Sequence, residues 1–125
     1  MPTQPEQLRG RTKQFAIRIV RLFKRLPKTD EARILGKQAL RSGTAVAANY
    51  RAVCRARSRA EFIARLGVVV EEADETVFWL ELLVDTGVVE KARMQDLLRE
   101  ANELLAIFAA SQLTAKSGSH LRKDS

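Results

Sequence analysis

Arg33, Lys37, Arg41, Arg51 and Arg55 follow one another in steps that keep them on one side of a helix, with Thr44 and Ala48 at the two intervening positions. At a rise of about 1.5 Å per residue the row extends over roughly 33 Å. A guanidinium is a planar fork that donates to two phosphate oxygens at once, and the row is mostly arginine. The chemistry it suits is neutralisation of successive phosphates along a nucleic-acid backbone, which positions a polymer without reading its sequence. Arg57 and Arg59 follow immediately and extend the set. Tyr50 is the one aromatic residue near it, which argues against base stacking on single strands and leaves structured RNA or duplex DNA as the matching ligands. The same cations equally suit pairing with carboxylates of a neighbouring helix or subunit, and the sequence leaves both alternatives open.

An opposite pole stands at Glu71, Glu72, Asp74 and Glu75. Glu71 and Glu75 are one helical turn apart, as in metal-binding bundles, but such sites also need inward-facing Glu-x-x-His pairs. The one histidine, His120, lies near the C-terminus, and the one cysteine is Cys54, so neither a metal site nor another cofactor is expected. Arg55 beside Cys54 favours a thiolate, but the cysteine is read here as a small residue near a helix end. Paired carboxylates without a nucleophile or a recognisable pocket do not make an enzyme, and no small-molecule substrate is evident. The acids are expected to pair with basic residues across a subunit contact. Charge is accordingly split: residues 1–66 carry 16 Lys/Arg against 4 Asp/Glu, and residues 67–125 carry 6 against 11, within a net charge of +7.

The elements that position these groups read as four helices. Phe15, Ile19, Leu22, Phe23 and Leu26 form the stripe of a first helix from about Arg11, stopped by Pro27. Thr29 or Asp30 caps a second helix reaching about Ala56, whose inner face carries Leu35, Ala39, Ser42, Val46, Asn49 and Val53. Ser42 and Asn49 are polar residues in that apolar face, expected to hydrogen-bond internally and fix register. Gly36 and Gly43 each cost about 1 kcal/mol against alanine in a helix, which close approach of a neighbouring helix would justify. Ser58 and Glu61 form a capping box that opens a third helix to about Val84. Its second half is apolar nearly all round, so Phe78, Trp79, Leu82 and Leu83, with Glu75, are expected at an interface between subunits. Gly87 ends it, and Met94, Leu97, Ala101, Leu104, Leu105 and Phe108 line a fourth helix from about Glu90 to Ala115. Residues 1–10 read as a flexible lead, 11–115 as one domain, and 116–125 as a disordered polar tail. No apolar run approaches the roughly 18 residues of a membrane span, and residues 1–10 lack a secretory signal's apolar segment; a cytoplasmic protein is expected.

Gln38, Arg41, Ser42, Asn49, Ser58, Glu61, Phe62, Leu66, Glu75 and Leu80, in that order and spacing, carry a resemblance. The pattern Q-x-x-R-S, a helical A-N, then S-x-x-E-F resembles the bacterial four helix bundle protein family, also called the ribosomal RNA intervening-sequence protein family, over about residues 12–112. The resemblance implies an all-α, antiparallel up-and-down, left-handed four-helix bundle that assembles into a homopentameric ring. It implies no enzymatic activity; it implies binding of RNA or DNA, a role shared by an accessory protein of diversity-generating retroelements. Where many members carry I-x-E-G, this chain has Tyr50, Arg51, Ala52 and Val53, losing an acid and gaining a cation; where many carry G-S, it has Glu71 and Glu72. The expectation is a non-catalytic, homo-oligomeric nucleic-acid-binding or ribonucleoprotein accessory protein using Arg33, Lys37, Arg41, Arg51, Arg55, Arg57 and Arg59; the alternative is an oligomeric scaffold with no nucleic-acid role.

Overall fold

The computed structural model describes residues 3–124, with side chains described as far as 118. Four helices follow in order: α1 (Gln4–Arg25), α2 (Asp30–Cys54), α3 (Arg59–Asp85) and α4 (Lys91–Asp124). They form an antiparallel bundle in which α1 packs on α2, α2 on α3 and α3 on α4, while α1 and α4 barely meet. The core is built from one face of each helix, including Phe15 and Ile19, Val46 and Val53, Leu66 and Leu80, and Leu104 and Phe108.

The helix starts follow from capping chemistry. The Thr3 hydroxyl accepts the Glu6 N–H, the Glu6 carboxylate accepts the Thr3 N–H, and Pro5 sits in the first turn where its missing N–H costs nothing. This reciprocal cap starts α1 at Gln4 and corrects the expectation of a flexible lead: residues 4–10 are helical, and Leu8 enters the core. Thr29 caps α2 by accepting the Ala32 N–H, and Ser58 caps α3 by accepting the Glu61 N–H at 3.0 Å. Only half of the expected box at α3 forms, because Glu61 Oε2 accepts the N–H of Arg57 rather than that of Ser58. At the end of α3, Gly87 adopts φ +77°; its N–H reaches Val84 O and the Val88 N–H reaches Leu83 O. That is a Schellman closure, and glycine enters the left-handed region without a Cβ clash. α4 continues through the stretch expected to be a disordered tail, helical as far as 124. Ser125 and the side chain of His120 lie outside the described residues.

Helix packing explains the two glycines of α2. A Cβ on Gly43 would stand 2.8 Å from Ile19 Cγ1, and one on Gly36 would run into Leu26 and Phe23. The bare backbone lets α1 lie close across α2. The inner face of α2 is turned slightly from the expected one: Tyr50, not Asn49, is buried, with its ring centroid 5.1 Å from that of Phe108. Burying a large ring against another aromatic gains more than burying an amide that must be satisfied. Asn49 is only half-buried and donates to Ala45 O of its own helix, so it does not lock register between helices as expected.

Candidate functional site

The outer face of α2 carries Arg33, Lys37, Arg41, Arg51 and Arg55, all exposed as their spacing requires. They do not behave alike. Arg41 lies across the α2–α3 seam, where Nη1 is 3.2 Å from a Glu72 oxygen and Nη2 donates to Glu75. Glu75 also accepts from Trp79 Nε1, at 3.2 Å. The Arg41 guanidinium and then the Trp79 indole hold the Glu75 carboxyl below its ordinary value, and Glu75 in turn raises Arg41. Arg41 is therefore occupied within the chain, which corrects its assignment to a free cationic row. Antiparallel packing sets acids on α3 level with it. For the same reason Glu75 is engaged by Arg41 in the monomer rather than held in reserve for a second subunit.

Arg51 and Arg55 have a different setting. With Arg65 of α3 they border one concave site of about 430 Å³ whose base is Ala48 and Ala52. Small residues at i and i+4 leave the seam shallow, so the three guanidinium groups surround open space rather than covering a packed surface. Arg65 is oriented from below: its Nε donates to Glu61 Oε1 at 2.8 Å, while Glu61 Oε2 takes the Arg57 N–H. The Arg57 N–H and then Arg65 hold the Glu61 carboxyl below its usual range. The Nε edge of Arg65 is consumed by this contact, and its terminal nitrogens remain for an anion. Among the described residues, Arg33, Lys37, Arg51, Arg55 and Arg57 make no ion pair. Arg65 was not among the cations expected from sequence. The tight α2–α3 turn is the signal for it, since residues about equally far from the turn come level on the two helices.

Arg59 departs from the expected set. Its guanidinium turns toward α4 and lies 3.5 Å from Ala115 O, next to Gly118. The carbonyl of Ala115 on α4 draws Arg59 away from α2. Tyr50 is likewise removed from the cationic face, and burial and then Cys54 push its phenol well above the ordinary value. Among the described residues no aromatic platform accompanies Arg51, Arg55 and Arg65.

The remaining sequence-derived positions divide between surface and core. Phe78 is 53% exposed and meets Trp79 edge to face at 4.9 Å; Leu82 is half-buried. Leu83 is fully buried in the core, so its expected place at a subunit interface is corrected: the rotation of α3 turns it inward with Leu80. Ser42 is completely buried, and its Oγ accepts from Thr76 Oγ1 at 2.9 Å, a partner that sequence did not indicate. Arg11 and Glu100 form a two-bond pair at 2.8 and 2.7 Å across α1 and α4, also without a sequence precedent. Above that pair α1 and α4 separate into a cleft of about 830 Å³. Among the described residues no three His, Cys, Asp or Glu side chains are grouped as a metal site, and no helix is long and apolar enough to cross a membrane.

Comparison with known proteins gives a family match over residues 7–110, to the model described as 23S rRNA-intervening sequence protein. A solved structure from Bacteroides thetaiotaomicron, a protein of unknown function from the S23 ribosomal protein family, is 33% identical, with a TM-score of 0.81. The alignment covers 88% of this chain and 98% of that one. No curated protein matches.

Proposed function

Because the chain belongs to the 23S rRNA-intervening sequence protein family, we propose that it is a non-catalytic, self-associating protein that binds the backbone of structured RNA through the C-terminal half of α2. The single observation carrying this reading is the convergence of Arg51, Arg55 and Arg65 on one alanine-based concavity. Arg51 and Arg55 have no carboxylate partner among the described residues and Arg65 is engaged only at its Nε edge, so the open site keeps donors for an anion. Phosphate oxygens match their donors in charge and geometry. Arg57 extends the site past the end of α2, and Arg33 and Lys37 offer a second, more distant contact along the same helix. Contacts of this kind neutralise phosphates and do not discriminate bases, so binding is expected to depend on backbone shape rather than sequence.

Purification without nuclease tests the proposal: the parent protein is expected to carry co-purifying RNA, and the Arg51→Glu/Arg55→Glu protein to be free of it. Equal RNA content in the two preparations contradicts the assignment. A second reading, a protein-interaction scaffold, is favoured by one observation: Arg41 is already consumed by Glu72 and Glu75. On that reading the remaining cations would meet acidic protein surfaces, and no RNA would be recovered with the parent.

A further inference from the structure

The cleft between α1 and α4 and the outer face of α3 are complementary. Arg18, Arg21 and Arg25 border the cleft from α1 and Arg93 borders it from α4, against Glu90 and Asp96. Between them the wall is apolar, with Leu22 and Leu26 facing Val88 and Val89. Among the described residues nothing closes this seam: α1 and α4 have few contacts, with the Arg11–Glu100 pair lower in the bundle. On α3, Glu71, Asp74, Phe78, Glu81 and Asp85 recur in steps of three and four and are all exposed, with half-buried Leu82 beside Phe78. This is a ridge with an apolar crest and acidic flanks. Glu71, Asp74, Glu81 and Asp85 make no ion pair among the described residues, nor do the four arginines of the cleft.

We infer that the cleft receives the Phe78 ridge of a second copy of this chain. Charge complementarity selects that occupant: a basic-rimmed apolar concavity and an acid-flanked apolar convexity occur on the same molecule. Nucleic acid is a poorer match for the cleft, since a phosphate backbone leaves Leu22, Leu26, Val88 and Val89 uncovered. Position agrees as well. The last turns of α1, the first turns of α4 and the last turns of α3 occupy the same end of the bundle. The α1–α4 seam and the outer face of α3 point in different directions, so one copy cannot satisfy itself. The contact is therefore head-to-tail, the class that closes into a ring when its rotation allows. The crest residues Phe78 and Leu82 supply buried apolar area, and the flanking acids set the register against Arg21 and Arg93.

The inference rests on the self-association half of the proposed function and is tested separately from RNA binding. Molar mass is measured by light scattering across a concentration series, with helicity followed by circular dichroism. Arg21→Glu/Arg93→Glu and Glu81→Lys/Asp85→Lys each place like charges in contact and are expected to weaken assembly by roughly tenfold or more. The chain carrying all four reversals is expected to reassemble. Phe78→Ser, at an exposed position that folding does not depend on, is expected to weaken assembly without lowering helicity. An assembled parent whose mass none of these changes alters overturns the pairing while leaving self-association standing. Two folded reversed proteins that dissociate, with a four-fold variant that stays dissociated, also overturn it. A parent that is monomeric at every concentration overturns both.

Discussion

Gly43 shows how one missing methyl group sets a helix distance. Its backbone faces the fully buried Ile19 side chain, whose branched Cβ restricts its movement. Gly43→Ala gains about 1 kcal/mol in helix propensity. It also forces a contact of the overpacked kind, which costs about 1–3 kcal/mol. The expected outcome is a protein destabilised by about 1 kcal/mol, read from urea unfolding midpoints; a stabilised protein would mean that α1 moves away freely. Ion pairs at this scale contribute less. Arg41 is half exposed, and surface pairs of this kind contribute about 0.2–1 kcal/mol. Their pH signature is nonetheless definite. The folded-state values of Glu75 and Glu61 are lowered, so their contributions are present above the ordinary 4.5 and are lost as pH falls through the lowered values. Thermal melts from neutral pH to about pH 3 should show stability falling below about pH 4.5, with a shallower fall in Glu75→Gln.

Helix ends and helix faces obey different rules, and this determined how much the sequence revealed. Caps are local. Ser58 could be named from its place before Glu61, and Ser58→Ala should cost about 1 kcal/mol of stability, measured by chemical denaturation. An unchanged midpoint would mean that the Glu61–Arg57 contact alone holds the start of α3. Stripes are also legible: Phe15 and Ile19 on α1, and Met94 through Phe108 on α4, were readable from period alone and lie in the core. The start of α1 was not, because Thr3, Pro5 and Glu6 precede any apolar repeat and the box they form looks like polar lead-in. What passes between helices was legible only in part. The close approach at Gly36 and Gly43 could be anticipated from the cost of glycine. The rotation that buries Tyr50 instead of Asn49 depends on Phe108, over fifty residues away. The Ser42–Thr76 bond and the Arg41–Glu72–Glu75 cluster depend on the axial offset of α2 against α3, which no single-helix pattern carries. The expected uniform cationic row is therefore interrupted in its middle, where Arg41 is occupied, and stays open at Arg33 and Lys37 on one side and at Arg51 and Arg55 on the other.

For the whole molecule, the uneven charge becomes spatial. The basic N-terminal half places α1 and α2 on one side, and acids of α3 and α4 meet it only at Arg11 and Arg41 among the inter-helix ion pairs of the described residues. Among the outward-facing cations, two groups border concave sites: the α2–α3 concavity assigned to phosphate, and the α1–α4 cleft assigned to a second copy. The two assignments use different arginines, so they separate by mutation. Arg41→Ala, which removes a pair already satisfied within the chain, should leave RNA affinity within about threefold of the parent in a filter-binding titration. A loss comparable to that from changes at Arg51 and Arg55 would return Arg41 to the binding face.

The most direct test of the phosphate site is the salt dependence of binding to a short RNA duplex, measured for the parent and for Arg51→Ala/Arg55→Ala/Arg65→Ala. Each phosphate contact contributes nearly one to the slope of log affinity against log salt. The account predicts a steep parent slope, reduced by about two to three in the triple variant with affinity lowered across all duplex sequences. Identical slopes and affinities for the two proteins would contradict it.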